Sequence, residues 1–149
     1  MCGRYSLVTT ENIVERFDVM AESFDIVADK IEPHYNISPG QYNPIIRSID
    51  GQNEVALMKW GLVPFWAKDS KQTYNMINAR AESVAKKPAF RKPFKSQRCI
   101  VPASGFFEWH KTEEGIKQPY YIHLIDQKIM GFAGLYDEWE EENGKKNKT

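Results

Sequence analysis

The sequence is poor in cysteine: among its 149 residues only Cys2 and Cys99 carry a thiol. Two thiols cannot build a disulfide framework, and neither stands at zinc-ligand spacing from His34, His110 or His123. A stapled secreted fold and a structural metal are therefore both unexpected, and no cofactor is expected either. No apolar run approaches the ~18 residues that a membrane span needs. The chain opens with no basic region followed by an apolar one, so a cytoplasmic protein with no membrane attachment is expected. Internal repeats, low-complexity tracts and linkers are absent as well, which predicts a single domain over residues 1–149. The formal net charge is zero, which speaks against binding nucleic acid through bulk charge.

What the chain does have is aromatic residues, at 13% enough for a substantial core, and an uneven distribution of charge. Lys86, Lys87, Arg91, Lys92, Lys95 and Arg98 form a basic run with no acidic residue between them, while Asp137, Glu138, Glu140, Glu141 and Glu142 cluster further on. Such runs are usually solvated faces, but a basic segment on a neutral protein also suits a local phosphate groove.

Periodicity predicts an α+β fold, mainly antiparallel sheet, barrel-like, with short peripheral helices. Tyr5, Leu7 and Val8 read as a first strand. Thr9-Thr10-Glu11 reads as a helix start, with Ile13, Val14, Phe17 and Met20 as the buried stripe. Residues 21–32 read as helix end and loop, and residues 34–40 as irregular. Ile45–Ile49 and Glu54–Trp60 read as a hairpin across Asp50-Gly51. Gly61 to Trp66 reads as a rigid aromatic loop, and residues 79–87 as a short helix ended by Pro88. Cys99–Trp109 reads as one strand with a bulge at Gly105. Two further strands follow, at residues 120–125 and 129–139. Asn143-Gly144 is a strong hairpin signal, yet the five residues after it look polar and too short to pair. That predicts a chain lacking the C-terminal part of its domain.

The residue with the most distinctive chemistry is Cys2. Removal of Met1 is expected because the following side chain is small. Cys2 then carries an α-amine with pKa ~8 and a thiol with pKa ~8.5 on adjacent carbons. An aldehyde can condense with the amine to a Schiff base, and the thiolate can close a five-membered thiazolidine. The plain alternative is a small residue near a frayed terminus, but the strand that follows at once argues for an anchored nucleophile.

Three further segments have the composition of a site. Met76 to Glu82 places Asn78 and Arg80 around a small residue. Pro102 to Trp109 sets Glu108 in an aromatic strand. Trp60 to Trp66 is a proline-containing aromatic loop. Each also has a structural explanation: a helix cap for Asn78, an exposed edge position for Glu108, core packing for the tryptophans.

Taken together with Met1-Cys2-Gly3-Arg4-Tyr5 and Tyr35-Asn36-Ile37-Ser38-Pro39-Gly40, these segments resemble the SOS response-associated peptidase family, in the family's order and along the whole chain. The resemblance implies abasic-site processing. Cys2 would form a covalent thiazolidine crosslink with the ring-opened sugar of an abasic site in single-stranded DNA, and would take part in autoproteolytic removal of Met1. It implies that Asn78 orients the reacting groups and that Glu108 serves as general acid/base, for which desolvation of its carboxyl is suited. Arg4 and Arg80 would hold flanking phosphates. Phe65, Trp66 and Pro39 would stack or wedge against bases. The family also carries a catalytic His in a later Ile-His-Xaa-Arg-Met-Pro type motif that nothing here matches, so reduced or absent activity is expected of residues 1–149 alone. A monomer acting on single-stranded DNA is expected.

Two other classes compete. A thiol peptidase acting on other proteins needs a His base and an oxyanion hole, for which there is no local signature. A non-catalytic single-stranded DNA-binding module would not need Cys2.

Overall fold

The structure is a computed structural model, and it describes residues 2–64, 66, 76–140, 144 and 146–149, the side chains of Trp139 and Asn147 excepted. Its elements in chain order are β1 (Tyr5–Leu7), α1 (Ile13–Arg16), α2 (Ala21–Ala28), β2 (His34–Ile37), β3 (Tyr42–Ile49) and β4 (Gln52–Lys59). They continue with α3 (Pro88–Ser96), β5 (Arg98–Ala103), β6 (Gly105–Lys111), β7 (Lys117–Ile122), β8 (Met130–Leu135), β9 (Glu138–Glu140) and β10 (Lys146–Lys148). Two four-stranded antiparallel sheets carry the fold, ordered β2-β1-β6-β7 and β4-β3-β5-β8, with β9-β10 as a separate ribbon. The α+β reading with antiparallel sheet and short helices holds, but the sheets are not closed into a barrel.

The predicted hairpin is present and longer than its hydrophobic run suggests. β3 and β4 pair from Tyr42↔Lys59 to Ile49↔Gln52. Asp50 (φ 50°) and Gly51 (φ 82°) both take left-handed backbone, the conformation a two-residue hairpin turn needs to match strand twist.

Several boundaries differ from the sequence reading. The first helix is a single turn, because Asn12 enters it in left-handed backbone without a side-chain cap and Asp18 (φ 49°) breaks the chain after it. Val19, not Met20, is the buried residue that follows, and a separate, longer helix, α2, occupies the region read as helix end and loop. Residues 34–37, read as irregular, form the edge strand β2: three exposed side chains precede buried Ile37, so alternation was hidden. Pro88 does not end a helix at 79–87, where the chain only turns. It opens α3 instead, at the first helical position, where its missing N–H costs nothing.

The stretch 99–109 is two strands rather than one. β5 pairs with β3 and β8 in one sheet, and after Ser104 the chain enters the other sheet as β6, beside β1 and β7. The end of the chain also corrects the reading. β10 pairs with β9 through Lys146↔Glu140, Asn147↔Trp139 and Lys148↔Glu138, and Thr149 exchanges both backbone hydrogen bonds with Asp137. The polar residues Lys146 to Thr149 suffice because a ribbon needs only backbone partners and the Lys148–Glu138 ion pair. Asn143 lies outside the described residues.

Where the two sheets face each other, Tyr5, Leu7, Ile37 and Ala103 form a buried cluster, with Cys2, Trp60, Phe106 and Phe132 packed against it. A second cluster of Ile13, Val19, Val27, Ile46, Val55 and Ile129 fixes α1 and α2 to the β3-β4 sheet. The first cluster matters most for the site, since it anchors the amino-terminal segment.

Candidate functional site

Cys2 sits three residues before β1 and is half-buried at the edge of the aromatic cluster. The ring of Tyr5 is wedged edge-on between Trp60 (centroids 5.3 Å apart) and Phe132 (6.1 Å), so the start of β1 is held by packing rather than frayed. The Cys2 thiol donates to the Arg4 carbonyl at 3.1 Å, and the same carbonyl accepts the Phe107 N–H at 3.0 Å.

Asn78 reaches this segment from the far side. Its Nδ2 donates to the Cys2 carbonyl at 2.7 Å. The loop bearing Asn78 is in turn fixed to the end of β4, because Trp60 Nε1 donates to the Ile77 carbonyl at 3.0 Å and the Leu62 N–H to Met76 at 3.2 Å. Gly40 donates to the Trp60 carbonyl at 2.8 Å and Trp60 to the Gln41 carbonyl at 2.9 Å. Trp60, through its backbone and its indole together, thus ties the Tyr35–Gly40, Trp60–Pro64 and Ile77–Glu82 segments to one another. Tyr5 and Trp60 were not singled out from the sequence, although both lie within its motifs; their role is to position neighbours, which single-residue chemistry does not reveal.

A cavity of about 330 Å³ opens beside them, with Cys2, Tyr5, Asn78, Trp60, Phe90 and Cys99 on its predominantly apolar wall. The two thiols in it differ. Burial pushes the Cys99 thiol up to about 12, so it stays protonated and inert at neutral pH. The Cys2 thiol is also raised, by burial first and by the negative charge of Glu108 as well; backbone hydrogen bonding at Arg4 and the chain's amino terminus pull the other way without cancelling this. Burial drives the Tyr5 hydroxyl further into its neutral form, and the Cys2 charge adds to this.

Glu108 therefore acts on Cys2 electrostatically from β6, where it is partly buried opposite Tyr120, although it lies outside the cavity wall. The Arg4 side chain is half-buried beside Cys2, Pro39 is half-buried next to Gly40, and Arg80 is exposed two residues after Asn78. Trp66 is exposed, and Phe65 lies outside the described residues. Among the described residues, no group of three His, Cys, Asp or Glu side chains could hold a metal ion, and no helix is long and apolar enough to cross a membrane.

The comparison with protein families decides what this arrangement belongs to: residues 1–149 match the SOS response associated peptidase (SRAP) family from end to end. The chain belongs to that family. It is 41% identical over 145 residues to abasic site processing protein YoaM of Bacillus subtilis, which covers 97% of this chain and 63% of that protein. Abasic site processing protein YMR114C of Saccharomyces cerevisiae is 40% identical over 117 residues, covering 77% of this chain and 31% of that one. A crystal structure of a Bacteroides thetaiotaomicron protein superposes with a TM-score of 0.84 at 33% identity, over 99% of this chain and 66% of that one. The chain thus spans about two thirds of the length of YoaM and of the Bacteroides protein, and about a third of YMR114C.

Proposed function

We propose that this SRAP chain processes abasic sites in single-stranded DNA by covalent attachment through Cys2. The observation that carries the reading is the hydrogen bond from Asn78 to the Cys2 carbonyl, made while Glu108 acts on the Cys2 thiol from another strand. Helix capping and terminal fraying do not account for a side chain 76 positions away holding the Cys2 backbone. Relatives that carry the name abasic site processing protein support the substrate class.

The chemistry begins with hydrolysis of the Met1–Cys2 peptide bond, which consumes one water and frees the α-amine. The ring-opened sugar presents an aldehyde. The amine adds to it, and loss of water leaves a Schiff base. The Cys2 sulfur then attacks the imine carbon while its proton passes to the ring nitrogen, which closes the thiazolidine. A thiol held above its ordinary pKa suits this order, since the amine is the stronger nucleophile at neutral pH and the sulfur needs a base only at closure. In this reading Glu108 relays that proton from sulfur to nitrogen and returns it in the reverse direction. Asn78 holds the Cys2 carbonyl and so fixes the direction of the amine and thiol. Arg4 and Arg80 are the phosphate ligands of this reading, with Trp66, Phe65 and Pro39 against the bases. A soluble monomer working in the cytoplasm completes it.

The test is incubation with an oligonucleotide carrying one abasic site, followed by denaturing electrophoresis and intact mass. The expected product lacks Met1 and carries one DNA per chain, formed slowly because the family's later His motif has no counterpart in residues 1–149. Cys2→Ala removes it, and Cys2→Ser leaves only an adduct that borohydride reduction must trap. Equal adduct from the native chain and Cys2→Ala would overturn the reading.

A further inference from the structure

The ladder between β1 and β6 is short, with Tyr5↔Phe106 and Ser6↔Gly105 as its register partners. Flanking backbone bonds from Ser104 to the Ser6 carbonyl (2.7 Å) and from Phe107 to the Arg4 carbonyl (3.0 Å) extend it only slightly. So short a ladder holds its register weakly unless side chains reinforce it. Yet this ladder sets the offset between Cys2, just before β1, and Glu108, three residues into β6.

The reinforcement comes from β7. The Tyr121 ring lies directly over Gly105 and crosses β6, and its hydroxyl meets the buried Ser6 Oγ on β1 at 2.8 Å. Ser6 Oγ also donates to the Gly105 carbonyl at 3.4 Å. A β-carbon at position 105 would stand 2.5 Å from the Tyr121 hydroxyl oxygen and 2.7 Å from Cε2, so the ring can occupy this seat only over glycine. Phe107 (centroids 5.0 Å away) and His123 (5.5 Å, stacked) flank the ring and hold its direction. One side chain therefore spans three strands.

We propose that Tyr121, seated on Gly105, is a positioning residue for the reaction of Cys2: it fixes the register and separation of β1 and β6, and with them the approach of Glu108 to Cys2. This rests on the reading of Cys2 and Glu108 given above. It also explains why the Gly105 to Trp109 segment begins with glycine, a feature the chemistry of Glu108 alone leaves open. Tyr121 is 44% exposed, so its loss costs the core little and the positioning role can be separated from folding.

The experiment compares the native chain with Gly105→Ala, Tyr121→Leu and Tyr121→Phe. Noncovalent affinity is measured on an oligonucleotide with a tetrahydrofuran site, which offers no aldehyde. The adduct rate is measured on a natural abasic site at saturating DNA. The pH profile of Cys2 alkylation by iodoacetamide is read peptide by peptide, with Tyr5, Glu108 and the amino terminus as the titratable groups that face Cys2. Gly105→Ala and Tyr121→Leu should slow the adduct at least tenfold with affinity within threefold of native. Their alkylation profiles should move to lower pH, because a more distant Glu108 no longer opposes the thiolate. Tyr121→Phe keeps the ring on Gly105 but removes the hydroxyl bond to Ser6 on β1, so it should slow the adduct and shift the alkylation profile in the same direction as Tyr121→Leu, by a smaller amount. Should Gly105→Ala fail to fold, Gly105→Ala with Tyr121→Leu removes the clash and should match Tyr121→Leu alone. A native adduct rate and an unmoved alkylation profile in Tyr121→Leu would overturn the proposal. Absence of any adduct from the native chain counts against the Cys2 reading instead, and the alkylation profile then decides the role of Tyr121 by itself.

Discussion

Asn78 holds Cys2 by its backbone, not by its thiol: the amide Nδ2 donates to the Cys2 carbonyl at 2.7 Å across 76 positions of sequence. That choice of atom keeps Asn78 off both the sulfur and the amine while fixing the residue that carries them; the sulfur's own bond is to the Arg4 carbonyl. It also couples the amino terminus to the loop that Trp60 pins to the end of β4.

Replacing Asn78 should therefore misdirect Cys2 rather than deprotect it. Removing a single partly buried hydrogen bond costs roughly 1–2 kcal/mol, which is about a tenfold loss in adduct rate if it falls on the reacting geometry. Asn78→Ala and Asn78→Asp should share this loss, because the carboxylate keeps the size but not the donor. Single-turnover crosslinking at saturating DNA measures it. Native rates in both variants would show that the bond is only structural.

The charge of Glu108 has a sign that can be measured. A negative group near a thiol disfavours the thiolate, and burial does the same, so the Cys2 alkylation midpoint should lie above the ordinary thiol range of ~8.5. Glu108→Gln removes the charge and leaves the burial, so the midpoint should fall part of the way back. If Glu108 also moves the proton at ring closure, the same variant should slow the adduct even though its thiolate is more accessible. Faster thiol alkylation together with slower crosslinking is the expected pair of outcomes. A variant faster in both would remove Glu108 as the base and leave it as an inhibitory charge.

The segments of Cys2 and Asn78, which the structure joins by a hydrogen bond, were more legible in the sequence than the local structure beneath them. Cys2 stood out by its chemistry, and the motifs around Asn78 and Glu108 by their order along the chain. Tyr5 and Trp60 did not stand out, because packing residues betray no role until their neighbours are known. Pro88 misled because proline can open a helix as readily as it can stop one. The stretch 99–109 misled because a strand that changes sheets keeps its β character on both sides of Ser104, and only partner strands distinguish the halves. β2 was lost because an edge strand with three exposed residues shows no alternation.

That edge strand offers a stability test. Ile37, 1% exposed, is its inward residue and belongs to the cluster that packs against Cys2, whereas Tyr35 on the same strand is 71% exposed. Ile37→Ala should destabilise the fold by ~2–5 kcal/mol and Tyr35→Ala by less than ~0.5 kcal/mol. Chemical denaturation measures both. Similar small losses would mean that β2 does not carry the packing assigned to it.

Salt dependence separates the two arginines. Each phosphate contact to single-stranded DNA releases counterions and contributes about 0.7 to the slope of log affinity against log salt. Arg80 is exposed beside Asn78, so Arg80→Ala should weaken binding to a tetrahydrofuran oligonucleotide and flatten that slope by about 0.7, with little effect on stability. Arg4 is half-buried, and its backbone carbonyl serves both the Cys2 thiol and the Phe107 amide. Arg4→Ala keeps those backbone bonds, so it too should flatten the slope, and any effect on adduct rate at saturating DNA should be small. Arg4→Lys keeps the charge but loses the planar fork, and should restore the slope more fully than the affinity. An unchanged slope in Arg80→Ala would move the phosphate path away from the Asn78 loop. An unchanged slope in Arg4→Ala, with a slower adduct, would make Arg4 a structural support of Cys2 and not a ligand of DNA.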